Sequence, residues 1–165
     1  MPSKKLEQAI NAQIQRELYS SYLYLAMSIH CEEINLDGFA HWMRLQSSEE
    51  RGHSMKLLNY LHNRGGRVVL EVIAKPPSKF RSPKQMFQEV LKSEQSVTKE
   101  INKLYEMAKK EGDHATEVEL QWFVQEQVEE EKTAKDILAK LDMVGDQPAA
   151  LLMMDRSLGS RGQQH

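Results

Sequence analysis

Four stretches of this chain carry apolar residues at helical spacing, and each has a glutamate in the middle of its apolar face. The second stretch constrains the fold most. Phe39, Met43, Gln46, Glu50, His53, Leu57 and Tyr60 follow in steps of three and four, so all lie on one face of a helix. That face is built to meet a core, yet its centre holds a carboxylate and an imidazole, Glu50-x-x-His53. A buried ionised carboxylate is costly unless it is paired or holds a metal. The pattern recurs three times. One face reads Ile10, Ile14, Glu17, Ser21 and Tyr24, widened by Leu18, Tyr22 and Leu25. Another reads Phe87, Leu91, Glu94, Val97, Ile101, Leu104 and Ala108. The last reads Leu120, Phe123, Gln127, Glu130, Ala134, Ile137 and Leu141.

If these helices form one bundle with Glu17, Glu50, Glu94 and Glu130 at one level, four carboxylates repel one another in a low-dielectric interior. Either some take up protons or cations neutralise them. Two divalent ions match four carboxylates. An oxygen-rich set with one nitrogen suits iron or manganese better than structural zinc. His53 and Glu50 can reach one ion from one helix turn, and Glu50 is the natural bridge between two. The alternative is that each glutamate snorkels to solvent or bonds internally. That is the simpler account of any single one, and a poor account of four together with Glu50-x-x-His53. Spacing leaves two readings of Tyr24 and Gln127: ordinary polar groups of the core, or partners that orient the carboxylates.

The order of elements is legible from breaks and caps. A first helix is expected from about Ser3, its N-cap, to Glu33. Asn35-Leu36-Asp37-Gly38 interrupts it, and Asp37 is expected to cap a second helix that runs to about Arg64 and ends at Gly65-Gly66. Two long helices joined so closely are antiparallel neighbours. Between Gly65 and Ser82, Val68 to Ile73 reads as extended and apolar, and Lys75-Pro76-Pro77-Ser78 is excluded from a helix interior. This segment is long enough to travel the bundle, which makes the second and third helices parallel. Ser82-Pro83 starts the third helix, which ends near Lys110; the fourth runs from about Ala115 to Met143. Pro148 to Leu158 reads as a short fifth helix. Its run Ala149-Ala150-Leu151-Leu152-Met153-Met154 cannot all face one bundle, so it is expected to bury surface against other chains. Gly159 to His165 is polar and expected to fray.

Composition removes several classes of function. At 165 residues the chain is expected to be a single all-α domain over 1–165, with the bundle over about 3–143 and the fifth helix over about 147–158. A net charge of −2 gives no bulk attraction to nucleic acid. The one cysteine, Cys31, precludes an intrachain disulfide framework and fits a reducing cytoplasm. No apolar signal core follows Met-Pro-Ser-Lys-Lys, and no run is long enough to span a bilayer, so a cytoplasmic protein without a membrane partner is expected.

The phrases Glu17-Leu18-Tyr19-Ser20-Ser21-Tyr22-Leu23-Tyr24, Glu49-Glu50-Arg51-Gly52-His53 and Trp122-Phe123-Val124-Gln125-Glu126-Gln127-Val128-Glu129-Glu130-Glu131, together with the long crossover and short fifth helix, resemble the bacterial and archaeal non-haem ferritins over nearly the whole length. Ferritin-like di-metal bundles are a known case of glutamates and Glu-x-x-His motifs facing inward from four helices. By this resemblance, Glu17, Glu50 and His53 would hold the first iron of a ferroxidase centre, and Glu50, Glu94 and Glu130 the second. Tyr24 would hydrogen-bond a ligand, and Gln127 would stand next to the second iron. Glu49, Glu126, Glu129 and Glu130 would form a third, nearby iron site. The resemblance implies oxidation of Fe(II) with O2 or peroxide, storage as ferric mineral, and a shell of twenty-four identical subunits with the fifth helix at the four-fold contacts. Glu117, near the start of the fourth helix, would line an acidic channel that admits iron, or simply favour the helix dipole.

Two departures matter. Gln127-x-x-Glu130 stands where the symmetric pattern has Glu-x-x-His, so the second iron lacks a histidine and should exchange more readily. Arg51 stands where the haem-binding bacterioferritins carry a methionine, so no haem is expected.

Overall fold

The computed structural model describes residues 1–163. Five helices follow in order: α1 (Lys4–Glu33), α2 (Asp37–Asn63), α3 (Pro83–Glu111), α4 (His114–Val144) and α5 (Pro148–Gly159). Ser3 caps α1 by accepting from Leu6 N, and Ser82 caps α3 by accepting from Gln85 N, as their positions predict. Gly65, at φ +74°, turns the chain out of α2.

Cross-helix pairs fix the directions. Ser21 bonds Ser47 O, and Arg44 pairs with Glu32, so α1 and α2 are antiparallel. Gln127 bonds Glu94, and Lys84 pairs with Asp142, so α3 and α4 are antiparallel. Tyr24 bonds Glu94, and Arg16 pairs with Glu100, so α1 and α3 are antiparallel as well. It follows that α2 and α3 are parallel, which requires the crossover. That segment runs along α1 on a ladder of polar side chains. Glu7 accepts from Arg67 N (2.9 Å), Asn11 accepts from Val69 N (2.8 Å) and donates to Arg67 O (2.9 Å), and Gln15 donates to Val72 O (2.9 Å). Val68 to Ile73 belongs to no helix or strand among the described residues, and Leu70 and Val72 are exposed.

The core is in two halves. One gathers Ile10, Ile14, Leu57, Ile101, Leu120 and Phe123; the other gathers Met27, Phe39, Met43, Phe87, Val90 and Ile137. Between them, at the middle of every long helix, lies a buried polar layer: Glu17 on α1, Gln46, Glu50 and His53 on α2, Glu94 on α3, and Gln127 and Glu130 on α4. Tyr22 and Leu25, expected to widen the α1 core face, instead face outward.

Two expectations at the ends change. Asp37 is not the N-cap of α2: Leu36 occupies that position without a side-chain bond, and Asp37 sits in the first turn. The acceptor comes from α5, where Asp155 Oδ1 takes the Phe39 N–H at 2.9 Å. The peptide after α5 does not fray at Arg161, which packs back on α2; Gln164 and His165 lie outside the described residues. Leu151 packs against the bundle's own core, while Leu152 and Met153 are 60% and 75% exposed.

The α5–α2 crossing needs a glycine. A Cβ on Gly38 would stand 1.7 Å from Asp155 O, a backbone atom that cannot swing aside. Gly38→Ala should therefore push α5 away, withdraw the Asp155 cap and cost about 1–3 kcal/mol. A urea titration monitored by circular dichroism measures this; an unchanged midpoint would mean that α5 is not docked there.

Candidate metal centre

Helical periodicity puts each residue of the polar layer on a core face, and the packing of the four helices brings them to one level. Glu17, Glu50 and Glu94 are each no more than 2% exposed. Ligand atoms of Glu17, Glu50 and His53 lie within 4.8 Å of one another, as do those of Glu50, Glu94 and Glu130. Glu50 belongs to both groups, as a bridge must. His53 Nδ1 is 3.2 Å from Glu50 Oε2 and 3.8 Å from Glu17 Oε2, yet neither oxygen accepts a hydrogen bond. Two buried carboxylate oxygens without hydrogen bonds, both beside the same imidazole nitrogen, are what a cation site offers.

The other oxygens are held in place. Gln13 Nε2 donates to Glu17 Oε1 at 2.9 Å, and Gln46 Nε2 donates to Glu50 Oε1 at 3.2 Å and to Glu130 Oε2 at 2.7 Å. The Tyr24 hydroxyl donates to Glu94 Oε1. Gln127 Nε2 donates to Glu94 Oε2 at 3.2 Å, to Glu94 O at 3.1 Å and to Thr98 Oγ1 at 3.2 Å. Tyr24 and Gln127 thus both orient Glu94. Gln13 and Gln46 have no part in the sequence-based site, although each stands four residues before a core glutamate, where helix geometry brings the side chains together. Trp122, its ring centroid 5.2 Å from that of His53, and Phe123, at 6.1 Å, wall the imidazole.

The outer carboxylates divide. Glu126 Oε1 is 3.9 Å from His53 Nε2, and His53, Glu126 and Glu130 form a third group of mutually close ligand atoms. Glu49 and Glu129 are exposed and join none of these groups among the described residues. Glu49 pairs instead with Arg161, 3.1 Å away. Glu117 stands apart in the first turn of α4, where its Oε1 lies 3.1 Å from His114 Nδ1.

Without metal, the layer answers charge crowding with protons. Burial raises Glu50 well above the usual carboxylate range, and the charges of Glu94 and Glu17 add to it. Burial also raises Glu94, against the bonds from Tyr24 and Gln127. Glu130 is pushed up to about 7 by burial and by the charge of Glu94. Burial works to lower His53, but Glu17 and Glu50 beside it prevail and raise it to about 11. These groups therefore hold more protons in the folded metal-free chain than in the unfolded one, the glutamates from about pH 4.5 upward and His53 from about 6.5. The stability these groups contribute is fully present below their ordinary pKa values and declines as pH rises through about 7 for Glu130, and further towards about 11 for His53. Metal-free protein should melt at a lower temperature at about pH 8 than at about pH 5, and a bound divalent ion, which requires deprotonated ligands, should reverse that order. Calorimetry at the two pH values, with and without metal, checks both signs.

Comparison with known proteins gives the family. Residues 7–144 match the family model described as a ferritin-like domain. A bacterial non-heme ferritin of Bacteroides fragilis is 42% identical over 98% of this chain and 100% of its own length. One from Staphylococcus aureus is 35% identical over 98% of this chain and 97% of its own. Among solved structures, an open-pore ferritin of the hyperthermophilic archaeon Archaeoglobus fulgidus superposes with a TM-score of 0.97 at 46% identity, covering 98% of this chain and 99% of that one. The chain belongs to the ferritin family, among its bacterial and archaeal non-haem members.

Proposed function

We propose that this chain oxidises Fe(II) to Fe(III) at a two-metal centre and stores the product as ferric mineral inside a shell of twenty-four copies, as a contribution to iron homeostasis in the cytoplasm. Family membership supports iron storage. The observation that carries the oxidase step is the sharing of Glu50 between two buried ligand groups. Glu17, Glu50 and His53 hold one ion; Glu50, Glu94 and Glu130 hold the other, with Gln127 beside it. Hard carboxylates favour Fe(III) over Fe(II), which lowers the potential and drives oxidation. Two Fe(II) give one electron each to O2, which takes two protons and leaves as hydrogen peroxide; peroxide itself, as acceptor, takes two electrons and two protons and leaves as two waters. The oxygen-only second group releases Fe(III) more readily than a histidine-bearing one would, which suits throughput. Glu126, with Glu49, Glu129 and Glu130, would offer product iron a next position outward, and Glu117 a place on the inward route.

A second reading, a di-iron oxidoreductase that stores nothing, uses the same residues. Loading metal-free protein with Fe(II) in air and measuring iron retained after gel filtration separates the two. Tens of ions per chain in a particle of hundreds of kilodaltons is the expected result. About two per chain would leave only the two-metal centre, and none would leave proton uptake as the role of the buried layer.

A further inference from the structure

The peptide beyond α5 reaches the polar layer. Arg161 lies over Trp42, its guanidinium carbon 4.6 Å from the ring centroid. Its Nη1 donates to Trp42 O at 3.1 Å, and its Nη2 donates to Gln46 Oε1 at 2.9 Å while facing Glu49 Oε2 at 3.1 Å. Its carbonyl is held by His41 Nε2 at 2.8 Å. Gln46 is buried, and its other end donates to Glu130 and Glu50.

A primary amide has a carbonyl at one end and two N–H donors at the other, and it can be turned end for end at little cost in shape. Here the two ends meet opposite chemistry. Arginine has donors only, and the two carboxylates, deprotonated as metal ligands must be, are acceptors only. Turned round, Gln46 would set N–H against the guanidinium and a carbonyl against two carboxylates. Arg161 thus fixes which way Gln46 points.

We propose that Arg161 is a positioning residue of the metal centre, acting through Gln46 on Glu130 and Glu50. The inference rests on the two-metal reading of those carboxylates. With Arg161 in place, the Gln46 N–H groups stay aimed at Glu130 and Glu50 and hold their oxygens towards the second ion. Glu130 receives the shorter bond and belongs to the second group but not to the first, so the effect falls on the second ion. The contact also ties the docking of α5 on Gly38 and Phe39 to the metal centre: a shift of α5 carries Arg161 with it and frees Gln46 to turn.

The test is an anaerobic titration of metal-free protein with Co(II), followed by calorimetry and by the visible absorption of the bound ion. The wild type is compared with Arg161→Ala, Gln46→Ala and the double variant. The wild type should bind two ions per chain. Arg161→Ala should leave the first within about twofold and weaken the second about tenfold. Gln46→Ala should weaken the second at least as much, and adding Arg161→Ala to it should cost nothing more, because the arginine acts through the amide. Arg161→Met keeps the stem over Trp42 without the donors; it should reproduce the alanine result even where alanine loosens α5. An unchanged second ion in the alanine and methionine variants, or losses that add in the double variant, overturns the inference alone. A wild type that takes up no cobalt overturns the two-metal reading and this inference with it.

Discussion

Glu50→Ala is expected to reduce Fe(II) oxidation on the order of a hundredfold or more, since loss of even an indirect partner of a metal ligand costs about 10–100-fold. Glu50 is the one residue common to the two inner ligand groups. Without it, Glu17 and His53 remain on one side and Glu94 and Glu130 on the other, with nothing to hold two ions close enough to give electrons to one oxidant. The bundle should survive, because burial already disfavours that carboxylate. Glu50→Gln, which keeps the volume but not the charge, should fail similarly. Stopped-flow absorbance of Fe(III) formation gives the rate, and calorimetry gives the ions bound. Rapid oxidation in Glu50→Ala with both ions bound would remove Glu50 from the bridging role.

Leu152→Asp with Met153→Asp should break a large particle into small oligomers while leaving the bundle folded. These side chains are 60% and 75% exposed on α5. Each apolar side chain of this size is worth about 1.5–3 kcal/mol when fully covered, and at a symmetric contact every copy repeats the loss and adds a carboxylate. Leu151 belongs to the helix's own packing on the bundle and would confuse the result. Native mass and a thermal melt, taken together, decide the matter. Intact particles would place the assembly surface elsewhere.

The inner site was legible because helical periodicity is a local rule. Once Glu17, Glu50, Glu94 and Glu130 fall on four apolar faces, any bundle that buries those faces must bury the carboxylates with them. The halves of the core on either side of the layer follow from the same stripes. Gln13 and Gln46 carried a signal too, their spacing from Glu17 and Glu50. That spacing alone assigns no role, because a glutamine beside an apolar face has ordinary explanations.

What the sequence could not show is where distant segments meet. The cap of α2 comes from Asp155 rather than Asp37, since the acceptor is supplied by a helix 116 residues away. Arg161 looks like part of a polar tail until α5 folds over Gly38 and lays the guanidinium on Trp42. Glu49 stands 3.1 Å from the same arginine, a neighbour that spacing along the chain does not show. Sequence by itself determined the helices, their caps at Ser3 and Ser82, the crossover and the buried carboxylate layer, because each depends on spacing along one chain segment. Tertiary structure alone decided how the fifth helix docks, which amide faces which carboxylate and which outer glutamates remain free, because those depend on donors and acceptors that only the closed fold brings within reach.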